Sequence, residues 1–123
     1  MTKCVLVVDD DPSFRTLVRA ALESLGVTDI CEATSGEEAA DWFRQLRFDL
    51  IVTDWRMPGR NGLRLTESIR LIAPQVPIVM ITVVDETPQM MEALKSGVSA
   101  YVTKPCTLDE IREALSGYIA APC

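Results

Sequence analysis

Short apolar segments alternate five times with segments of helical periodicity along this chain, and this alternation restricts the fold more than any other feature of the sequence. The three strongest apolar segments are unbroken runs, as expected for strands covered on both faces. They are residues 4–8, 50–52 and 78–81, with weaker candidates at 30–33 and 100–102. Because parallel strands need long, right-handed crossover connections, the pattern predicts a parallel sheet with helices on both faces.

Start and stop signals support each of the intervening helices. They are Pro12 and Gly26 around the first helix, a Ser35–Glu38 capping box before the second, Pro74 after the third, Thr87–Pro88 and Gly97 around the fourth, and a Thr107–Glu110 capping box before the fifth. No linker, low-complexity tract or internal repeat interrupts the alternation. We therefore predict one domain over residues 1–123, of the α/β class, built as a doubly wound (βα)5 unit with a five-stranded parallel sheet.

Charge and composition exclude several classes of protein. The net charge of −6 and the scattered Lys and Arg residues argue against direct binding to nucleic acid. No apolar run approaches the ~20 residues that span a bilayer, and the first run ends in three aspartates rather than in a secretory cleavage site. The four cysteines form no C-x-x-C pair and the chain has no histidine, which disfavours zinc and disulfide frameworks. We expect a cytoplasmic protein that does not bind membranes.

Polar residues follow the predicted strands directly, at the edge where open parallel sheets bind their ligands. They are Asp9, Asp10 and Asp11 after the first strand, Thr53 and Asp54 after the third, Thr82 after the fourth, and Thr103, Lys104 and Pro105 after the fifth. Clustered carboxylates raise one another's pKa unless a cation is present, and Mg²⁺ is commonly held by one or two carboxylates. A remaining carboxylate can then attack phosphorus, while Lys104 and Thr82 stabilise the transferring phosphoryl group.

Each of these residues also has a purely structural interpretation. Residues 9–11 could cap the first helix, and Asp54 could be a turn residue. Thr82 could be a strand-end hydroxyl bonded to backbone, and Lys104 a solvated surface charge. Complementary groups at the ends of four different strands favour a shared site over four separate structural roles.

Three motifs resemble those of the receiver domains of two-component response regulators, and of the single-domain chemotaxis regulators in particular. Residues 5–12 resemble the acidic-pair motif of that family, residues 52–59 with 61–62 its phosphoacceptor loop, and residues 101–105 its final motif. The resemblance runs essentially from end to end. It implies a flavodoxin-like fold with the strand order 2-1-3-4-5 of the chemotaxis regulator.

The resemblance also implies roles for individual residues. Asp54 would be the phosphoacceptor of a signalling domain that is not an enzyme, apart from its own phosphorylation and dephosphorylation. Asp10 and Asp54 would bind Mg²⁺ (or Mn²⁺) directly, the backbone carbonyl of Arg56 would be a third ligand, and Asp9 would act through water. The loop beyond the acceptor would be formed by Met57, Pro58 and Gly59.

The same resemblance implies a switch and its partners. Lys104 would pair with a phosphoryl oxygen, and its peptide bond to Pro105 is expected to be cis. Thr82 would move toward the phosphate and Tyr101 would rotate inward, which remodels the face formed by the fourth helix, fifth strand and fifth helix. A sensor histidine kinase, a phosphotransfer protein or a small phosphodonor would supply the phosphoryl group. A downstream protein, an output domain or a second copy of the activated chain would bind the remodelled face.

Two residues are expected to affect the rate of phosphorylation or dephosphorylation, and one of them departs from the family pattern. Val83 follows Thr82 where the family usually has a small residue, and its branched side chain could crowd the approach of phosphodonor or water. Arg56 lies two positions after the acceptor and could cover the phosphoryl group. We hypothesise that dephosphorylation is slow.

Two other functions fit parts of the sequence. The spacing of Asp9 and Asp11 also fits an aspartate-nucleophile phosphatase, with Asp9 as nucleophile and Asp11 as acid and base. That function leaves Asp54 and its loop without a role. A receiver-like interaction module that accepts no phosphoryl group is the third alternative, and Val83 is its only support in the sequence.

Overall fold

A computed structural model describes residues 3–56 and 61–119 of the chain. Strands and helices alternate five times. The strands are β1 (Cys4–Val8), β2 (Asp29–Ala33), β3 (Leu50–Thr53), β4 (Ile78–Thr82) and β5 (Ala100–Thr103), and the helices are α1 (Pro12–Ser24), α2 (Gly36–Gln45), α3 (Gly62–Ile72), α4 (Thr87–Ser96) and α5 (Leu108–Ile119). None of the helices within these described ranges combines the length and apolarity needed to cross a bilayer.

The strands form one parallel sheet in the order β2-β1-β3-β4-β5, which confirms the predicted fold class and strand order. The order reverses between β1 and β3, where Val8 pairs in register with Thr53. Asp9 and Asp54 follow these two residues and are therefore brought side by side. In an open α/β sheet this reversal point is where ligands bind.

The sheet is covered on both faces, which explains the unbroken apolar runs. Successive strand residues point to opposite faces. Leu6 and Val8 pack in a buried cluster with residues of α2, α3 and α4, whereas Val5 and Val7 pack in a second cluster with residues of α1 and α5. Because both sides of each central strand are buried, the strand sequences do not alternate between apolar and polar residues.

The two predicted capping boxes are present at the N-termini of α2 and α5. At α5, Glu110 N donates to Thr107 Oγ1 (3.1 Å) and Thr107 N donates to the Glu110 carboxylate (2.8 Å). At α2, Glu38 N donates to Ser35 Oγ (3.1 Å), but the Glu38 carboxylate accepts from Thr34 N rather than from Ser35 N. In the capping box of α2, the hydrogen bond to the glutamate carboxylate therefore comes from the residue before the one predicted.

The third helix ends before Pro74, as predicted, but its start differs from the sequence interpretation. It begins at Gly62 with Asn61 as its cap, within the segment that the sequence assigns to the phosphoacceptor loop. Leu65, Ile69 and Ile72 are apolar residues at helical spacing in this segment, but only Leu65 and Ile69 are buried, whereas Ile72 is 69% exposed. Ile72 is the last residue of the helix and lines an open apolar cleft with Phe43 and other residues, instead of packing into the core.

Candidate functional site

Three of the residues predicted from the strand ends meet directly at the sheet edge. Lys104 Nζ donates to Asp9 Oδ2 (2.9 Å) and to Asp54 Oδ2 (3.0 Å). Asp9 is 2% exposed and Asp54 is 7% exposed, so both carboxylates are buried against this ammonium group. Lys104 is followed by a cis peptide bond to Pro105, as expected. Lys104 is therefore not a solvated surface charge.

Backbone groups fix the direction of the Asp54 carboxylate. Its Oδ1 atom accepts from Trp55 N (2.6 Å) and from Arg56 N (3.4 Å), which is the geometry of a turn aspartate. Asp54 N donates to Val8 O (3.0 Å), which continues the β1–β3 pairing one residue further. Asp54 is therefore both a turn residue and a member of the charged group. The predicted loop residues Met57, Pro58 and Gly59 lie outside the described residues.

The first turn of α3 packs directly against the backbone of Asp54 and Trp55. Gly62 N donates to Trp55 O (2.8 Å). A Cβ atom at Gly62 would lie 1.9 Å from the backbone oxygen of Asp54, so a residue with a side chain does not fit without displacing that backbone. The glycine allows close approach of two backbone segments.

The three consecutive aspartates have three different environments. Asp9 is buried, accepts from Asp11 N (2.9 Å) and belongs to the charged group. Asp11 accepts from Ser13 N (2.9 Å) and is the N-cap of α1, which is the structural role considered for the triplet. Asp10 is exposed to solvent at the sheet edge. Capping therefore accounts for one of the three residues.

The charges of the site are only partly balanced. Burial raises the pKa of Asp9, and the hydrogen bond from Lys104 opposes this shift without cancelling it. For Lys104, burial alone would lower the pKa, but the hydrogen bonds and charges of Asp9 and Asp54 raise it. Lys104 therefore remains a cation at neutral pH. Among the three directly bonded groups, one ammonium faces two carboxylates, which leaves −1 when both are ionised, and the exposed carboxylate of Asp10 lies next to them in the chain.

The donor chemistry of this edge fits a hard divalent cation. The predicted direct ligands are the carboxylates of Asp10 and Asp54 and the backbone carbonyl of Arg56, with Asp9 acting through water, and all of them are oxygen donors of the kind that Mg²⁺ prefers. Mg²⁺ commonly uses only one or two carboxylates and keeps water in its other positions. Within residues 3–56 and 61–119, no three carboxylate or thiol groups are arranged to hold a metal ion by themselves. The ligand set stays a prediction.

The two predicted switch residues are joined through a residue that the sequence did not single out. Thr82 is fully buried, and its Oγ1 atom accepts from Val84 N (3.3 Å). The Tyr101 hydroxyl donates to Val84 O (2.5 Å). Burial raises the pKa of Tyr101, and the charges of Asp54 and Asp85 raise it further, so its hydroxyl remains a proton donor. Val84 therefore connects the end of β4 to the ring on β5.

The two residues predicted to modulate the rate of dephosphorylation, Val83 and Arg56, line the same cleft. Val83 is 54% exposed, and it lines an open cleft of about 560 Å³ together with Trp55 and Arg56. Trp55 is partly buried at the rim of this cleft. The cleft lies next to Asp54 in the chain, although the Asp54 side chain itself does not line it.

Two residues of α1 contact the site without having been predicted to do so. The ring centroid of Phe14 lies 4.0 Å from Lys104 Nζ, and Arg15 Nη1 donates to the backbone oxygen of Asp9 (2.6 Å). Phe14 has the helical spacing of a core-facing apolar residue in the sequence, and its ring does pack against the core. Its contact with a lysine at the other end of the chain has no signal in the sequence.

Comparisons with known proteins agree with this arrangement. Residues 5–116 match the family described as the response regulator receiver domain. The chemotaxis protein CheY of Pseudomonas aeruginosa is 34% identical over 113 residues, which cover 90% of this chain and 91% of that protein. Chemotaxis protein CheY1 of Helicobacter pylori is 36% identical over 116 residues, which cover 90% and 92% of the two chains.

A solved structure gives the same result in three dimensions. The receiver domain of the Francisella response regulator 1452 has a TM-score of 0.87 and 31% sequence identity with this chain. The match covers 97% of this chain and 98% of that domain. The chain therefore belongs to the family of response regulator receiver domains.

Proposed function

We propose that this chain is the phosphorylation-activated receiver of a two-component signalling system and that Asp54 is its phosphoacceptor. The observation that carries the proposal is the buried ammonium group of Lys104, which bonds the carboxylates of both Asp9 and Asp54 at the reversal point of the sheet. A cation held there can neutralise charge that develops on a phosphoryl group as it moves to Asp54.

The proposed reaction is an in-line transfer. A carboxylate oxygen of Asp54 attacks the phosphorus atom of the donor, an O–P bond forms, and the bond from phosphorus to the leaving nitrogen or oxygen breaks with its electron pair going to the donor. The donor is the phosphohistidine of a sensor histidine kinase or of a phosphotransfer protein, or a small acyl phosphate. Lys104 then bonds a phosphoryl oxygen in place of the Asp54 oxygen that it bonds now.

Mg²⁺, or Mn²⁺, is the proposed cofactor. Asp9, Asp10, Asp54 and the backbone carbonyl of Arg56 would hold it. When bound, it supplies positive charge to the oxygens of the phosphoryl group. The chain itself contributes the orientation of Asp54, which the amides of Trp55 and Arg56 fix, and the exclusion of water around the buried carboxylates.

The bonds of Val84 support a route from the phosphoryl group to a protein-binding face. A movement of Thr82 toward the phosphate would release Val84 N, and Val84 O is the acceptor of the Tyr101 hydroxyl. Tyr101 lies on β5, between α4 and α5. Met91 and Leu94 of α4 and Leu108 of α5 are exposed apolar residues, of the kind that could contact a downstream protein, an output domain or a second activated copy.

Incubation with acetyl phosphate and Mg²⁺, followed by intact-protein mass spectrometry, tests the proposal. We expect the mass of one phosphoryl group to be added to the wild-type chain and to Asp109→Asn, which removes an exposed carboxylate of α5. We expect no addition to Asp54→Asn, and none when the metal is chelated. Uptake by Asp54→Asn equal to that of the wild type would contradict the assignment of the acceptor.

The same variants separate the two alternative functions. In an assay of phosphate-ester hydrolysis, an aspartate-nucleophile phosphatase would turn over substrate steadily, and its activity would survive Asp54→Asn. The capping bond between Asp11 and Ser13 N weakens that alternative, because it directs the presumed acid–base carboxylate to the helix terminus. An interaction module without phosphorylation would be folded and take up no phosphoryl group at all.

A further inference from the structure

The ammonium group of Lys104 has a third neighbour besides its two carboxylates. An ammonium group has three N–H donors, and two of them are used by Asp9 and Asp54. The ring of Phe14 covers Nζ at 4.0 Å from the ring centroid, well within the ~6 Å over which an aromatic face attracts a cation. The Lys104 side chain is 14% exposed, so little water competes with the ring for this cation.

The ring is held independently of the lysine. Phe14 lies in the first turn of α1, which Asp11 caps, and it packs against the core cluster between the sheet and the helices α1 and α5. Lysine, in contrast, has a long flexible side chain whose ammonium group can occupy many positions. A fixed aromatic face beside Nζ therefore restricts where the cation can go.

This restriction matters most when the partners of Lys104 change. During phosphorylation of Asp54, the lysine must exchange a carboxylate oxygen for a phosphoryl oxygen, whereas the attraction of the ring to the cation requires neither hydrogen bond. We propose that Phe14 is a positioning residue for phosphoryl transfer, whose ring face keeps the Lys104 ammonium group at the sheet edge while its oxygen partners are exchanged. The proposal rests on the proposed function of Asp54.

A packing role for Phe14 is the competing explanation, since the methylenes of a lysine also cover apolar surfaces. Phenylalanine analogues with one, two or three ring fluorines separate the two roles, because they weaken the attraction for a cation while they keep the shape of the ring nearly unchanged. They also avoid variants that fail to fold.

The test introduces this fluorinated series at position 14 and measures the rate constant of phosphorylation by acetyl phosphate with saturating Mg²⁺. We expect the rate constant to fall stepwise with each fluorine, by about fivefold across the series. Phe14→Leu should be phosphorylated at least as slowly as the chain with three ring fluorines. Phe14→Trp should retain most of the wild-type rate constant. The matched control is the same series at Phe43, whose ring stacks on Phe48 on the other side of the sheet. We expect no trend there.

A spectroscopic measurement tests the contact without any phosphorylation. Protons above an aromatic ring are shielded, so the Lys104 ε-methylene signals of the unphosphorylated chain should lie upfield and should move downfield in Phe14→Leu but not in Phe43→Leu. Unshifted Lys104 signals, or equal rate constants along the fluorinated series, would overturn this inference while Asp54 still became phosphorylated. If the wild-type chain showed the expected Lys104 signals but took up no phosphoryl group, the proposed function would be overturned. The role of Phe14 in phosphoryl transfer would then fall as well.

Discussion

Single charged residues decide what this sheet edge can do. Two carboxylates that are almost completely buried share one ammonium group, and a third carboxylate stands exposed beside them. The raised pKa of Asp9 reflects burial that the lysine only partly offsets. An edge with unbalanced negative charge favours the arrival of further positive charge, which is the requirement of phosphoryl transfer.

Side chains at the rim of the cleft should set the lifetime of the phosphoryl group. Arg56→Ala and Val83→Ala each remove bulk from the cleft next to Trp55, and we expect each to shorten the lifetime of the phosphoryl group by roughly threefold to tenfold, or about 0.7–1.4 kcal/mol in the barrier. Decay of the phosphorylated chain after removal of the donor measures this directly. Arg47→Ala, at the cleft between α2 and α3, is the control. Unchanged lifetimes in both rim variants would contradict the hypothesis of slow dephosphorylation.

Glu32 should make stability depend on pH. Burial alone would raise its pKa, but hydrogen bonds and charges from Arg19 and Arg15 lower it overall. A lowered pKa in the folded state contributes stability that is present above the unfolded pKa and is lost as pH falls through the folded pKa. Glu32→Gln should therefore lower the free energy of unfolding at neutral pH, by about 1 kcal/mol for these partly exposed pairs.

Urea denaturation at a series of pH values checks this effect. The difference between Glu32→Gln and the wild type should shrink toward zero as the pH falls below the carboxyl range. Replacing the exposed residue Glu92 by Gln should change the free energy of unfolding less than Glu32→Gln does at neutral pH, and this change should vary little with pH. A difference that is constant with pH would mean that charge is not the cause.

At the scale of elements, the junction of β3 and α3 joins the fold to the site. Asn61 caps α3, and Gly62 brings the first turn of the helix onto the backbone of Asp54. A helix N-terminus that packs against the backbone of Asp54 fixes the position of the Asp54 carboxylate more firmly than an open loop would.

Gly62→Ala should therefore damage both stability and phosphorylation. The added Cβ atom must displace the backbone of Asp54, and we expect a loss of about 2 kcal/mol in the free energy of unfolding together with slower phosphoryl uptake. Gly117→Ala in α5 is a matched control, because a Cβ atom added there would meet no neighbouring segment within 4 Å. That variant should be stabilised by about 0.5–1 kcal/mol. Equal stabilities of the two variants would contradict the close approach at Gly62.

Most elements could be predicted from the sequence because each has a local signal. The apolar run of β1, the capping box at Thr107 and the glycine after α4 all depend on neighbouring residues alone. The start of α3 was missed because the resemblance assigned Asn61 and Gly62 to a loop. The roles of Phe14 and Val84 were missed because each depends on the meeting of distant segments, for which one sequence carries no local signal.

At the scale of the whole molecule, the topology assembles residues from the two ends of the chain. Asp9 follows β1 and Lys104 follows β5, yet their side chains are 2.9 Å apart. This convergence could be foreseen from the strand ends, since parallel strands finish at one edge of the sheet. The different environments of Asp9, Asp10 and Asp11 could not be predicted. They depend on how the chain turns from β1 into α1.

Metal binding at this edge should stabilise the whole fold. A cation that binds only the folded chain raises the free energy of unfolding by about 1.4 kcal/mol at roughly ten times its dissociation constant. Thermal denaturation with and without Mg²⁺, at matched ionic strength, should show this increase in the wild type and in Asp109→Asn. We expect a much smaller increase in Asp10→Asn and in Asp54→Asn. Equal stabilisation of all four proteins would exclude these carboxylates as the ligands.

The identity of the phosphorylated residue is the most direct test of the account. Borohydride reduces an acyl phosphate of aspartate to homoserine, which peptide mass spectrometry locates in the chain. After treatment with acetyl phosphate and Mg²⁺, we predict homoserine at position 54, and none in samples without the donor or the metal. Homoserine at position 9, or a phosphorylated chain without homoserine at position 54, would contradict the assignment of Asp54 as the acceptor.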